Sequence, residues 1–158
     1  MKLPKNVELA IEEFVKACKR EFKKDLVSIV LFGSYARGDF KETSDVDMLV
    51  IVKKLPESVW ERDKLMEKIT WKIFLKYNED LQPILSTTEE IKAAMKNNNP
   101  MFFGILLGYR ILMDREGFFE RSLKEIVAKN IMKNPPLFVY GDKRWRLEKI
   151  AKSLLRSG

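Results

Sequence analysis

The sequence predicts an α/β protein with a small mixed sheet flanked by helices and a helical tail at the C terminus. Three short apolar runs at 26–32, 46–52 and 79–86 have the length and composition of strands. Segments 5–24 and 57–76 instead carry apolar residues at helical spacing, with charged residues between them. Because the first helix leads directly into the first strand, we expect it to lie against the sheet.

The composition is that of a globular protein. With 158 residues, the chain is long enough for one substantial core, and 46% hydrophobic with 34% charged residues is not typical of disorder. No run approaches the length of a membrane span and no signal-peptide pattern begins the chain, so we expect a cytoplasmic protein without a membrane partner. The net charge of +7 favours anionic partners; a nucleotide alone would satisfy it, and RNA binding is open but not required.

The chain contains one cysteine and no histidine. The single cysteine, Cys18, excludes an internal disulfide and lies on the apolar side of the first helix, where we expect it in the core. The absence of histidine excludes Ser–His triads, histidine-based zinc centres and histidine-dependent ribonucleases within this chain. Chemistry based on carboxylates and a metal ion remains open.

Two aspartates begin the second apolar run. Residues two apart on a strand point to the same face, about 7 Å apart, so Asp45 and Asp47 can reach one metal ion while Val46 packs into the core. Two carboxylates this close repel each other unless a cation lies between them. Oxygen ligands of this kind favour Mg²⁺ or Mn²⁺.

A glycine bend ends the first strand. Gly33 lets the backbone approach a ligand closely, and the N–H groups of the turn that follows can bind phosphate. The hydroxyl of Ser34 adds a further donor. A phosphate site facing a pair of carboxylates is what phosphoryl or nucleotidyl transfer requires, because that chemistry depends on positioning and charge neutralisation.

These residues form a recognisable pattern. Gly33-Ser34, Ala36-Arg37-Gly38 and Ser44-Asp45-x-Asp47, followed by an apolar strand, resemble the DNA polymerase β-type nucleotidyltransferases, in particular their minimal nucleotidyltransferase branch. The resemblance implies the mixed sheet of that fold. It also implies transfer of a nucleoside monophosphate, in the simplest case AMP from ATP, to a hydroxyl acceptor with Mg²⁺ or Mn²⁺ and release of pyrophosphate.

The resemblance also assigns roles to these residues. It makes Asp45 and Asp47 metal ligands and places the nucleotide phosphates at Gly33 and Ser34. Arg37 either contacts the triphosphate or pairs with a carboxylate of its own loop, and the sequence leaves both interpretations open.

A third carboxylate is expected from the run at 79–86. Asp80-Leu81-Gln82-Pro83 is similar to the family pattern, so the resemblance makes Asp80 a metal ligand and the general base for the attacking hydroxyl. Gln82 shares the face of Asp80, and a shift of one step in register would leave the site without this acid. Pro83 indicates that the strand lies at an edge of the sheet or is irregular.

The polar stretch 97–100 separates a predicted catalytic domain, 1–96, from a helical extension, 97–158, that packs on it. The helix before this stretch begins at a capping-box pattern formed by Thr87 and Glu90. The segment 101–113 is apolar nearly all round and is interpreted as a buried helix or a homodimer interface. Two further helices and an extended link are predicted at 118–133, 142–156 and 137–141.

Two tryptophans, a row of lysines and a further tryptophan each have a structural and a functional interpretation. Trp60 and Trp71 are expected to pack against the protein rather than to stack on a base. The row Lys64, Lys68, Lys72 and Lys76 is either a solvated face or an anion-binding surface. Trp145 either folds onto neighbouring structure or binds a base or a partner from within a basic cluster.

The acceptor is left open by the sequence. Minimal nucleotidyltransferases of this size resemble the antitoxins of toxin–antitoxin systems, whose partner is a helical HEPN toxin that can be adenylylated on a tyrosine. A small-molecule acceptor, as in the aminoglycoside-modifying relatives, is an alternative. A third hypothesis is a non-catalytic antitoxin or interaction module that binds nucleotide without turnover.

Overall fold

A computed structural model of the protein describes residues 2–97, 99–126, 137–140, 143–146 and 156. The helices are α1 (Lys5–Phe22), α2 (Gly33–Arg37), α3 (Val59–Tyr77), α4 (Thr88–Lys96), α5 (Pro100–Leu106) and α6 (Phe118–Ile126). The strands are β1 (Leu26–Phe32), β2 (Val46–Val52), β3 (Leu81–Thr87), β4 (Tyr109–Asp114), β5 (Leu137–Tyr140) and β6 (Lys143–Arg146). None of the helices in these ranges is long and apolar enough to cross a bilayer.

The main sheet is mixed, as predicted. Its strand order is β3-β2-β1-β4, with β1 antiparallel to both β2 and β4 and with β2 parallel to β3. The two central strands are almost entirely buried, which agrees with their mainly apolar composition. This order brings the last residue of β1 and the first residues of β2 and β3 to one end of the sheet.

The side chains of β2 alternate between two cores. Met48 and Val50 face a layer formed by α1 and α3, whereas Leu49 and Ile51 face a layer formed by α4, α5 and α6. Cys18 is fully buried in the first layer, as predicted, and burial raises the pKa of its thiol to about 12. The thiol therefore stays protonated at neutral pH and acts as a packing residue.

The edge position of β3 explains how the strand tolerates a proline. Val46 N–H donates to Asp80 O at 2.9 Å, which turns the backbone groups of even-numbered β3 residues towards β2. The nitrogen of Pro83 therefore faces away from β2, where its missing N–H costs no bond within the sheet. The predicted edge strand is confirmed.

The capping box at the start of α4 is also confirmed. Glu90 N–H donates to Thr87 Oγ1 at 3.2 Å, and Thr87 N–H donates to Glu90 Oε2 at 2.9 Å. Arg62 of α3 forms an ion pair with the same glutamate at 2.9 Å. The hydrogen bond from Arg62 is the main reason why the pKa of Glu90 is lowered.

The prediction of one helix over residues 101–113 is wrong in its second half. Helix α5 ends at Leu106, and the chain then continues as β4, which pairs with β1. The backbone groups on the free side of β1 need partners, and β4 supplies them. One strand of the main sheet thus comes from the segment that was assigned to a helical extension.

The rest of the C-terminal segment is described only in part. Helix α6 confirms the predicted helix 118–133 over its described part, 118–126, and β5 lies in the predicted extended link. The predicted helix over 142–156 is wrong at residues 143–146, which form β6 and pair with β5. Residues 127–133 and most of 147–156 lie outside the described residues, and the role of the Trp145 side chain stays a prediction.

Two tryptophans on α3 do not pack as expected. Trp60 is 64% exposed and Trp71 is 58% exposed, so the prediction that both rings pack against the protein is wrong. Lys64 Nζ lies 3.5 Å from the centre of the Trp60 ring, and the Trp71 ring stacks on Phe74 with centroids 5.8 Å apart. These contacts lie along the outer surface of α3 and leave much of both indole rings in solvent.

Asp114 joins β1 to the start of α6. Its Oδ1 accepts hydrogen bonds from the buried Ser28 hydroxyl at 2.6 Å and from Phe119 N–H at 2.9 Å, and its Oδ2 accepts one from Glu120 N–H at 3.2 Å. Replacing Asp114 by alanine leaves these three donors without their acceptor. We expect the free energy of unfolding, measured by urea denaturation, to fall by about 2–3 kcal/mol.

Asp63→Ala is the matched control, because it removes an exposed carboxylate from α3. It should change the free energy of unfolding by less than about 0.5 kcal/mol. An equally small effect of Asp114→Ala would show that the carboxylate does not hold β1 and α6 together.

Candidate functional site

The bend between β1 and α2 lies directly against a carboxylate. Gly33 has φ +74°, a conformation that side chains rarely adopt. A Cβ built on this glycine would overlap Oδ2 of Asp47 and would lie 3.2 Å from its Cγ. The structure therefore brings the predicted glycine bend and the predicted carboxylate into contact, and only glycine leaves room for both.

The two aspartates at the start of β2 differ in their surroundings. Val46 between them is fully buried, so both carboxylates project to the opposite face of the strand, with Asp45 exposed and Asp47 half-buried. Burial, together with the negative charge of Asp45, raises the pKa of Asp47, while the positive charge of Arg37 acts in the opposite direction. Ionisation of Asp47 beside Asp45 is therefore unfavourable.

This environment fits a divalent cation. The donors are carboxylate oxygens, which Mg²⁺ and Mn²⁺ prefer, and a cation would offset the repulsion that raises the pKa of Asp47. In the described part of the chain, no three Asp, Glu, His or Cys side chains come together as a complete metal site. A magnesium ion bound here would therefore take its remaining ligands from substrate phosphates or water, which is usual for this ion.

Asp80 lies on the neighbouring strand at the same end of the sheet. Asp47 pairs with Gln82 in the parallel register, which places Asp80 across from Asp45 just before β3 begins. Its carboxylate accepts a hydrogen bond from Gln82 Nε2 at 2.8 Å. The register therefore places the carboxyl-bearing residue, and not Gln82, beside Asp45, while the role of Asp80 as a metal ligand and base stays a prediction.

Arg37 ends α2 and forms the ion pair within its own loop that one of the two interpretations predicts, while a contact with the triphosphate stays a prediction. Its side chain is only 9% exposed and its Nε lies 3.2 Å from Oδ2 of Asp39, in an ion pair within its own loop. Its charge nevertheless acts on Asp47, whose pKa it lowers. Gly108, which precedes β4, packs against this arginine so closely that a Cβ there would lie 3.2 Å from Arg37 Cα.

Sequence reasoning missed two groups beside the site. The Tyr35 ring is buried and stacks on Phe40 with centroids 4.5 Å apart. Burial raises the pKa of Tyr35, and the negative charges of Glu79 and Asp45 add to this effect. Burial also raises the pKa of Glu79. Both residues adjoin members of the predicted motif, but only the folded chain shows that Tyr35 lies near the charges of Glu79 and Asp45.

Comparisons with known proteins identify the family. Residues 11–107 match the family model described as a nucleotidyltransferase domain. The chain belongs to this family. It is 41% identical over 138 residues to MJ1305 of Methanocaldococcus jannaschii, named as a candidate protein adenylyltransferase, and the match covers 87% of this chain and 91% of that protein. MJ0141 of the same organism, with the same description, is 44% identical over 48% of this chain and 74% of its own length.

Solved structures agree with this fold. A toxin–antitoxin structure with AMP-PNP superposes with a TM-score of 0.51 at 18% identity, covering 74% of this chain and 83% of that one. The spectinomycin adenyltransferase AAD(9) from Enterococcus faecialis superposes with a TM-score of 0.50 at 14% identity, covering 80% of this chain and 68% of that one. These solved structures therefore share the fold of this chain, with the mixed sheet that the sequence predicts.

The contact at Gly33 gives a direct test of the site. Gly33→Ala should weaken ATP binding in the presence of Mg²⁺ by more than about tenfold, measured by calorimetry, because the new methyl group displaces the Asp47 carboxylate. Gly104→Ala is the matched control, since nothing lies within 4 Å of a Cβ built there. The control should leave ATP binding unchanged; similar affinities for both variants would contradict the proposed contact.

The raised pKa of Asp47 predicts a pH-dependent stability. A carboxyl group whose pKa is higher in the folded state than in the unfolded state destabilises the fold when it is ionised. The free energy of unfolding therefore falls as the pH rises from the unfolded-state pKa to the folded-state pKa, and the full loss is present above both values. Without metal, Asp47→Asn should therefore raise the melting temperature at pH 7, and the difference should shrink as the pH falls towards the ordinary pKa of an aspartate carboxyl.

Added Mg²⁺ provides the control for this measurement. It should raise the melting temperature of the wild-type protein at pH 7 and leave that of Asp47→Asn unchanged, because only the wild type has the ionised pair. An Asp47→Asn variant that melts below the metal-free wild type at pH 7 would show that ionised Asp47 is not a source of repulsion.

Proposed function

We propose that the protein transfers AMP from ATP to a hydroxyl group of a protein acceptor, with Mg²⁺ or Mn²⁺ bound by Asp45 and Asp47. The observation that carries this proposal is the contact between Gly33 and the Asp47 carboxylate. A nucleotide whose phosphates are bound by the backbone at this bend has its reacting phosphate beside the two acids. The names of the M. jannaschii relatives support both the adenylyl group and a protein acceptor.

Each residue of the site has a distinct task in this proposal. Gly33 and Ser34 bind the phosphates of ATP through backbone N–H groups and the serine hydroxyl. Asp45 and Asp47 hold the metal ion, which when bound neutralises phosphate charge and lowers the pKa of the acceptor hydroxyl. Arg37, fixed by Asp39 on one side, adds a positive charge at this end of the sheet.

The transfer step follows from these positions. The acceptor oxygen forms a bond with the α-phosphorus of ATP, and the bond from that phosphorus to the bridging oxygen breaks. Pyrophosphate leaves with the bonding electron pair, and Asp80 takes the proton of the acceptor hydroxyl. The carboxylate of Asp80 is exposed at the edge of the sheet, where an acceptor on another molecule can reach it.

For the acceptor we propose a tyrosine on a helical toxin partner of the HEPN type. The support is the fold shared with a toxin–antitoxin protein that was crystallised with AMP-PNP, together with the protein adenylyltransferase names of the relatives. An aminoglycoside-like small molecule is the alternative acceptor, supported by the fold shared with AAD(9). A transfer assay that offers both kinds of acceptor separates the two.

The test is the transfer of label from ATP carrying ³²P at the α-phosphate to a purified HEPN-type toxin. Asp45→Ala and Asp47→Ala should abolish transfer. Asp80→Asn should lower kcat by about 100-fold or more, because the acceptor hydroxyl loses its general base and the metal ion loses a predicted ligand.

Asp63→Asn is the matched control, since it neutralises an exposed aspartate on α3 without touching the site. It should keep the wild-type rate. ATP binding without transfer to a toxin or to an aminoglycoside would favour the non-catalytic antitoxin, and an unchanged rate for Asp80→Asn would remove this residue from the mechanism.

A further inference from the structure

A groove runs between α1 and α3 on the side of the protein formed by these two helices. Its volume is about 580 Å³, and it is lined by residues of both helices. None of its lining residues belongs to the candidate active site described above. Because Lys76 pairs with Glu13 at 2.8 Å across the two helices, the groove is bounded at the end nearer the start of β3.

The floor of the groove is apolar and elongated. Ala17 of α1 lies opposite Leu65, Ile69 and Ile73, which follow one another at four-residue spacing along α3. The groove extends from Trp60 to Ile73, which is about 20 Å along α3 at about 1.5 Å per residue. An occupant that covers this floor must be long and narrow, as a helix is.

One rim of the groove carries a row of lysines. Lys64, Lys68 and Lys72 lie one turn apart along α3, and within the described residues none of them forms an ion pair. The fourth lysine of the predicted row, Lys76, is instead neutralised by Glu13. The rim therefore has three positive charges above an apolar floor.

The surface beside this rim is also suited to contact with a protein. Trp60 lines the groove and remains largely in solvent, and Leu75, one turn beyond Trp71 on the same helix, is 67% exposed. Exposed tryptophans that border an apolar groove are the kind of residue on which binding energy concentrates in protein interfaces.

We propose that this groove binds an amphipathic helix of a partner protein, with apolar side chains on the floor and acidic side chains over Lys64, Lys68 and Lys72. The charge of the rim selects the acidic flank, and the spacing of the floor residues matches the i, i+4 periodicity of a helix. The partner helix would pack beside α1 and α3 and cover the apolar floor of the groove between them.

Two other occupants fit the groove less well. A strand of RNA would place its phosphates over the lysines, but it would leave the apolar floor without a partner. A compact ligand would fill only part of a groove about 20 Å long. Both are outcomes that the experiment distinguishes.

The experiment uses the full-length protein and two fluorescein-labelled amphipathic peptides of about 14 residues, enough to span the groove as a helix. The peptides share their leucines and differ only in carrying glutamates or lysines on one flank. Fluorescence anisotropy should show that the wild-type protein binds the acidic peptide at least about tenfold more tightly than the basic one. Lys68→Glu/Lys72→Glu should reverse this preference.

Lys54→Glu/Lys96→Glu is the matched control, because it makes the same charge change outside the groove and should keep the preference. Trp60→Ala should weaken binding of the acidic peptide by about tenfold, mainly through faster dissociation, whereas the lysine substitutions should act on association and its salt dependence. These are binding measurements, so their result does not depend on whether the protein transfers AMP.

Three results would overturn the proposal. One is binding of neither peptide, or of both equally. Another is a single-stranded oligouridine that displaces the acidic peptide and loses affinity in Lys68→Glu/Lys72→Glu, which would make the groove an RNA site. The third is a dimer in sedimentation that the same variant dissociates, which would make the occupant a second copy of this chain.

Discussion

The register between β1 and β2 is the constraint on which the site depends. Leu31 pairs with Met48, so the bend after β1 meets the first residues of β2 at one end of the sheet. Because side chains alternate across a strand, a slip of one residue would turn the Asp47 carboxylate into the core and bring Val46 to the bend. Such a slip would cost much stability, because the buried apolar side chains of β2 alternate between two cores and would all change sides. The packing of the sheet thus fixes the placement of the charged pair.

The same packing explains why the ionised acidic pair destabilises the folded protein. Asp47 is half-buried beside another carboxylate, and burial raises its pKa because the ionised form loses hydration. The ionisation of Asp47 is unfavourable, and the surrounding apolar strands supply the stability that offsets it. Arg37, held by Asp39 and packed under Gly108, reduces the repulsion without removing it. Such an environment fits the cation and the phosphates that we propose for this site.

The two helical layers cover opposite faces of the sheet and differ in what they leave open to solvent. Helices α4, α5 and α6 close one face of the sheet, and Asp114 ties that layer to β1 through the buried Ser28 hydroxyl. Helices α1 and α3 cover the other face but keep an apolar seam and a row of lysines open to solvent. None of the residues lining this groove belongs to the acidic site, so substitutions in the groove leave the residues of that site in place.

The sequence by itself determined the features that depend on neighbouring residues. The strands at 26–32 and 46–52, the Thr87–Glu90 capping box and the edge strand marked by Pro83 all follow from local pattern and backbone chemistry. Only the tertiary structure decided that the apolar segment 101–113 divides into a helix and a strand, because the partner of that strand, β1, lies far away in the chain. The exposure of Trp60 and Trp71 is likewise a property of what surrounds a helix, which periodicity along one segment does not contain.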